Sequence, residues 1–198
     1  MCISASIGAG LAAGARIFSE KPVVRTEEET WALARLLREH GQTSVLVGLV
    51  LRSAPLVAAV TRTLRDRLGP LVSFEGNEHL HPEHGGFLMR DWRRHEAHGG
   101  SFLLDKCCHD FDLYRLFAGA LPARIASFGG RSIFTPENEA LAARTHPGGE
   151  PAYTLWRPGW NGGNSVFRSD ADVADNQVVL VEYENGVRLS FHANSHAG

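Results

Sequence analysis

Asp105 and His109 stand four residues apart in the run Gly99-Gly100-Ser101-Phe102-Leu103-Leu104-Asp105-Lys106-Cys107-Cys108-His109-Asp110-Phe111-Asp112. On a helix that spacing puts them one turn apart on one face. A carboxylate beside an imidazole can orient the ring, stabilise its protonated form and keep it titrating near neutral pH. Such a ring can exchange a proton with a substrate hydroxyl. The same spacing also suits an ordinary surface ion pair. Lys21 precedes Pro22 at the carboxyl end of the short strand pattern Arg16 to Pro22, and Arg52 directly follows the apolar run Ser44 to Leu51. In open parallel sheets ligands bind at that edge, although a lone lysine there can equally be a solvated strand end. Arg90-Asp91-Trp92-Arg93-Arg94 could grip a polar ligand through a bidentate guanidinium, or form a solvated loop with Trp92 packed down. His79, His81 and His84 have a spacing worth a metal hypothesis, though no cysteine lies near them.

The elements that must position these groups follow from pattern and punctuation. Residues 5–14 read as the end of a small-residue helix capped by Gly14. Gly8-x-Gly10-x-x-Ala13 matches a dinucleotide fingerprint by letter, but no helix fits between it and the next strand, so the match is a coincidence. Thr26 followed by Glu27, Glu28 and Glu29 starts a helix that Gly41 ends. Ser44 to Leu51 suits a central strand buried on both faces, and Pro55 opens a helix to about Arg67. Residues 1–68 therefore read as half of a doubly wound α/β domain. Beyond Gly69-Pro70, Leu71 to Leu80 reads as a strand, 99–118 as one helix and Ala123 to Gly130 as another strand. Residues 131–176, with Trp156 and Trp160, form a loop long enough to be a functional lid or disordered. Gln177 to Tyr183 and Val187 to Ala193 alternate and are joined through Asn185-Gly186, a hairpin signal.

Composition narrows the classes. At 43% hydrophobic and 21% charged, the chain reads as a globular protein able to bury a core. A net charge of -2 gives no electrostatic reason to expect nucleic acid or an anionic membrane, and no apolar run approaches a membrane span. The start lacks the basic residues of a signal peptide. Three cysteines, two of them adjacent, argue against a disulfide scaffold and for a reducing, cytoplasmic setting.

Together these pieces resemble the Gfo/Idh/MocA family of NAD(P)-dependent oxidoreductases. The likeness is carried by Ala13-Gly14 leading to Glu20-Lys21-Pro22, by Val47-Gly48 with Arg52 and Pro55, by Gly99-Gly100 with Asp105 and His109, and by Asn185-Gly186. The resemblance implies the C-terminal part of a Rossmann-like parallel sheet over residues 1–68. It implies an α+β substrate-binding and oligomerisation domain with an open, mainly antiparallel sheet over 69–198. It also implies hydride transfer between NAD or NADP and a secondary alcohol of a sugar or cyclitol, in a homo-oligomer built through the open sheet. Lys21 then matches the lysine that reaches substrate and nicotinamide ribose, Asp105 the substrate-binding carboxylate, and His109 the general acid/base. Glu20 and Pro22 shape the strand end beside the cofactor, while Arg52, Trp92 and Arg93 are substrate contacts.

The family's phosphate-cradling glycine loop and acidic ribose partner have no counterpart in this sequence. The expectation is therefore a chain matching only the middle of the family pattern, truncated at both ends, binding NAD(P) poorly and turning over slowly or not at all. A metal-dependent lyase or hydrolase using the clustered histidines, and a non-catalytic self-associating module, are the alternatives.

Overall fold

A computed structural model describes residues 3–41, 44–153 and 165–197. The chain divides into two compact units, Met1–Ala58 and Ala59–Gly198.

The first unit pairs two short parallel strands with two helices. Helix α1 (Ile3–Ala12) contains Gly8 and Gly10, so the fingerprint match lies in the body of a helix. The missing side chains let neighbours approach: a Cβ on Gly10 would lie 2.5 Å from Ile17 Cδ1. Gly14, at φ +76°, follows the helix in a conformation that favours glycine. Strand β1 (Ile17–Ser19) pairs in parallel with β2 (Val45–Val47). Between them runs α2 (Glu27–His40), whose first turn is capped by the Thr26 hydroxyl accepting from the Glu29 N–H at 3.2 Å. Ile7, Leu11 and Leu33 form the core with Ile17, Leu36 and Val45 around them.

Both strands are shorter than the sequence suggests. The runs 16–22 and 44–51 each keep three residues as strand, because Gly48 turns the second away and a 3₁₀ turn, Val50–Ser53, follows. Nor is β2 buried on both faces. Phe18 and Leu46, paired across the ladder, are 62% and 66% exposed, since the helices cover only the opposite face. Helix α3 (Pro55–Arg67) starts at its proline as expected.

The second unit is a four-stranded sheet in the order β3-β6-β5-β4, made of β3 (Ser73–His79), β4 (Pro122–Gly130), β5 (Asn176–Tyr183) and β6 (Arg188–Asn194). β3 and β6 are parallel and the other pairs antiparallel. The Asn185-Gly186 hairpin forms as read, with Gly186 at φ +83°. Alternation divides the sheet: Val179, Val181, Leu189 and Phe191 face the core, while Val178, Leu180 and Phe128 face out, Phe128 being 79% exposed.

Helices α4 (Pro82–Leu88), α5 (Glu96–Gly99), α6 (Phe102–Asp105) and α7 (Cys108–Ala118) belong to this unit. The expected single helix over 99–118 is broken at Lys106 and Cys107. Cys107 takes φ -83°, ψ 2°, and its fully buried side chain joins the sheet core. Phe111 and Tyr114 of α7 pack on Phe191, with ring centroids 4.9 Å and 5.6 Å away.

The long connection 131–176 is neither a bare lid nor shapeless in its described part. It contains two 3₁₀ segments, Pro136–Ala143 and Val166–Arg168, and its own core of Phe134, Tyr153, Val166 and Phe167 with Met89. Fully buried Asp175 closes it. Its carboxylate accepts from the backbone N–H groups of Ser132, Ile133 and Phe134 at 3.1, 2.8 and 2.9 Å. Trp156 and Trp160 lie outside the described residues.

Candidate functional site

Two groups of the expected residues are assembled, one in each unit. In the first, Glu20, Lys21 and Pro22 follow β1, and Arg52 sits in the 3₁₀ turn after β2, so all four belong to the carboxyl edge of one parallel pair. The Lys21-Pro22 peptide is cis. Gly48 lies under this edge. Its N–H donates to the Ser19 carbonyl at 2.8 Å, and a Cβ there would lie 3.2 Å from Phe18 Cζ and 3.4 Å from Glu20 Oε2. Glycine therefore lets Glu20 fold back over the end of β2.

In the second unit, Trp92, Arg93 and Asp105 meet. The Arg93 guanidinium lies 4.2 Å from the Trp92 ring centroid and 4.5 Å from that of Phe87. Its Nε is 3.7 Å from Asp105 Oδ2, and the Asp105 side chain is 14% exposed. Two aromatic faces hold the cation by stacking and cation–π attraction, which fixes its polar edge toward the carboxylate. Gly99 makes the approach possible: a Cβ would lie 3.0 Å from both Cα and the carbonyl oxygen of Arg93. Asp105 closes α6, which Ser101 caps by accepting from the Leu104 N–H at 3.1 Å. His109 lies in the first turn of α7. Asp105 and His109 are thus not on one continuous helix, as the spacing suggests. The break at Cys107 separates them.

Sequence reasoning missed what steadies this segment. The stretch 169–172 straps residues 89–96 from outside. Ser169 Oγ donates to the Met89 carbonyl at 2.8 Å, Arg94 Nε meets Asp170 Oδ1 at 2.5 Å, and the Glu96 N–H donates to Asp172 Oδ1 at 2.7 Å. Arg131 donates to the carbonyls of Ser169 and Ala171. The acid-rich run 169–172 is the only sequence signal, and it names no partner.

A second cluster missed from sequence lies against the sheet side of α7. Lys106 Nζ is 3.4 Å from Glu78 Oε1 on β3. Burial, then the neighbouring Glu78 charge, raises the Asp110 carboxyl to about 6. Burial pushes the Cys107 thiol and the Tyr114 hydroxyl well up, so both stay protonated at neutral pH.

His79 ends β3, and His81 directly precedes α4 without capping it through its side chain. Among the described residues no group of three or more His, Cys, Asp or Glu side chains is placed to hold a metal ion. No helix among them is long and apolar enough to cross a membrane.

A small parallel-stranded unit followed by a mixed four-stranded sheet with α7 packed on one face defines a mixed α/β fold. Residues 62–198 match the family model described as the GFO/IDH/MocA C-terminal domain, and the chain belongs to that family. It is 22% identical over 214 residues to the Bacillus subtilis (strain 168) protein named "Putative oxidoreductase YteT", covering 88% of this chain and 48% of that protein. Among solved structures it resembles myo-inositol 2-dehydrogenase from Lactobacillus plantarum, at 16% identity and a TM-score of 0.72, over 98% of this chain and 48% of the other. It also resembles GenD2 from gentamicin A biosynthesis in complex with NAD, at 19% identity and a TM-score of 0.64, over 98% of this chain and 45% of the other. The chain thus spans about half the length of the curated relative it matches, 48%.

The family implies a nicotinamide cofactor, and the residues fit one end of it. The carboxyl edge at Glu20, Lys21 and Pro22 offers a lysine and a carboxylate suited to a ribose and a carboxamide. The phosphate end does not fit. Gly8 and Gly10 are inside α1, and the first turn of α2 carries Glu27, Glu28 and Glu29, which repel an anion. Among the described residues none forms a pyrophosphate cradle.

Proposed function

We propose that this chain contributes the substrate-handling half of an oxidoreductase that moves a hydride between NAD or NADP and a secondary alcohol of a sugar or cyclitol. The observation that supports it best lies inside the stretch matching the family model. There Trp92 and Arg93 are held against Asp105, and His109 starts the next helix. The cofactor, when bound, supplies the hydride acceptor. Asp105 accepts hydrogen bonds from neighbouring hydroxyls of the polyol and fixes its orientation, with Arg93 holding the carboxylate in place. Trp92 offers an apolar face to the sugar ring. His109 takes the proton of the reacting hydroxyl as general base. Lys21, with Glu20 and Pro22 beside it, donates to the nicotinamide ribose, and Arg52 is a polar contact from the same strand edge. Residues 1–68 supply the cofactor side and 69–198 the substrate side. Without a phosphate cradle among the described residues, NADH binding by this chain alone is expected to be weak.

The outer face of the sheet, with Phe128 and Leu180 exposed, favours a homo-oligomer formed through it. Neither Cys107 nor Cys108 is in a disulfide, which suits a reducing cytoplasmic setting.

The test is deuterium transfer. The chain is incubated with NAD or NADP and a panel of polyols deuterated at the carbinol carbons, including myo-inositol. Deuterated NADH or NADPH is expected from at least one polyol. The His109→Ala variant should form it roughly 10²–10⁴ times more slowly. Equal rates from the variant and the wild type would remove His109 from the reaction.

A further inference from the structure

We infer that Asp172 is a positioning residue for the polyol site: by tying residues 94 and 96 from outside, it stops the Arg93 guanidinium short of a direct bond to Asp105 and so leaves that carboxylate's oxygens to ligand hydroxyls.

Arg93 Nε stands 3.7 Å from Asp105 Oδ2. A direct bond between such charged partners is about 2.7–2.9 Å long. The two side chains are only 23% and 14% exposed, so their attraction is weakly screened and something must hold them apart. The rings of Trp92 and Phe87, at 4.2 and 4.5 Å, fix the plane of the guanidinium but let it slide along their faces. Its reach is therefore set by the main chain that carries it.

That main chain has two supports. Gly99 lies against it, since a Cβ there would stand 3.0 Å from Arg93 Cα and from its carbonyl oxygen. Asp172 is bonded to it twice. Its N–H donates to the Arg94 carbonyl at 3.0 Å, and its Oδ1 accepts from the Glu96 N–H at 2.7 Å. The supports are coupled, because Glu96 opens and Gly99 ends the same four-residue helix, α5. Asp172 thus takes the first N–H of the helix whose last residue rests on Arg93.

Asp172 can hold this position because its flanks are fixed. Ala171 and Val173 are buried in the core with Phe134 and Phe167. Arg131, directly after β4, donates to the carbonyls of Ser169 and Ala171 and so ties the stretch to the sheet. Asp170 is different. Its side chain is 70% exposed and forms ion pairs with the side chains of Arg94, at 2.5 Å, and His95, at 3.5 Å. Those side chains can swing while the main chain stays in place.

The inference rests on Asp105 receiving polyol hydroxyls, but its first readout needs no ligand, so the two can fail separately. Nitrogen-15 NMR of the full chain reads the arginine Nε–H groups, with the Arg93 line identified by its loss in Arg93→Lys. In Asp172→Ala that line should move downfield and exchange more slowly with water, as Arg93 closes onto Asp105. Asp172→Asn keeps an acceptor for the Glu96 N–H and should keep the wild-type line, as should Asp170→Ala. Polyol binding should weaken about fivefold or more in Asp172→Ala and recover in Asp172→Asn. If no polyol binds the wild type, the polyol reading is at fault and the Arg93 line alone decides the spacing. If Asp172→Ala does not fold, Ser169→Ala, which releases the Met89 carbonyl at the other end of the stretch, should shift the line the same way. The inference is overturned by an Arg93 line that stays put in the folded variant, by one that Asp170→Ala moves as far, or by polyol binding unchanged while the line moves.

Discussion

Asp105 and Asp175 are both shielded carboxylates in the second unit, and they are held in opposite ways. Asp175 is fully buried and accepts from three consecutive backbone N–H groups and from the Asn176 amide. Those donors cannot leave without unravelling the chain. Asp105 reaches solvent at one edge and faces a guanidinium at 3.7 Å, held by two stacked rings. A carboxylate satisfied by backbone donors is committed to the fold. One matched to a side chain at longer range can exchange part of its contacts for a ligand's hydroxyls.

The largest effect that sharpens this contrast is Asp175→Ala. It strips a charged acceptor from three buried N–H groups and should lower stability by about 4 kcal/mol, read from the urea midpoint. A loss under about 1 kcal/mol would erase the distinction. Asp105→Asn should cost about 1 kcal/mol or less by the same measurement, yet weaken polyol binding by about tenfold or more.

A third test uses acid. Burial holds the His196 imidazole below its ordinary 6.5, and its Nδ1 has no hydrogen-bond partner. The next residue back, Ser195, donates its N–H to the Asp175 carbonyl at 3.0 Å. A histidine with a depressed folded pKa contributes stability above about pH 6.5 that is lost as pH falls through the folded value. Exchange protection at this corner should thus decline toward acid. His196→Asn should flatten that slope. The smallest effect is expected at Arg168, whose ion pair with Glu139 is exposed. Arg168→Ala should leave the urea midpoint essentially where it is in the wild type.

The contrast also marks what was legible in the sequence. β5, β6 and their Asn185-Gly186 turn were readable because one face is buried and the other is not, so the alternation survives in the letters. Thr26 and Pro55 announced helix starts by local chemistry alone. The ends of β1 and β2 were not readable, because an apolar run continues past Gly48 where pairing stops. Cys107 fits a helical stripe, so nothing local marked the break that parts Asp105 from His109. Asp175 finds its N–H donors more than forty residues earlier, a match only the folded chain reveals. The same holds for Arg93: its ion pair with Asp105 depends on Gly99 lying against its backbone, whereas the sequence suggested only a turn there.

The account stands on Asp105 and its surroundings receiving a polyol. Saturation-transfer NMR of the chain with myo-inositol and related polyols, with NADH present, reads this directly. Transfer to at least one polyol is expected in the wild type and should vanish in Asp105→Asn, while both proteins unfold at nearly the same urea concentration. Undiminished transfer in that variant would contradict the assignment.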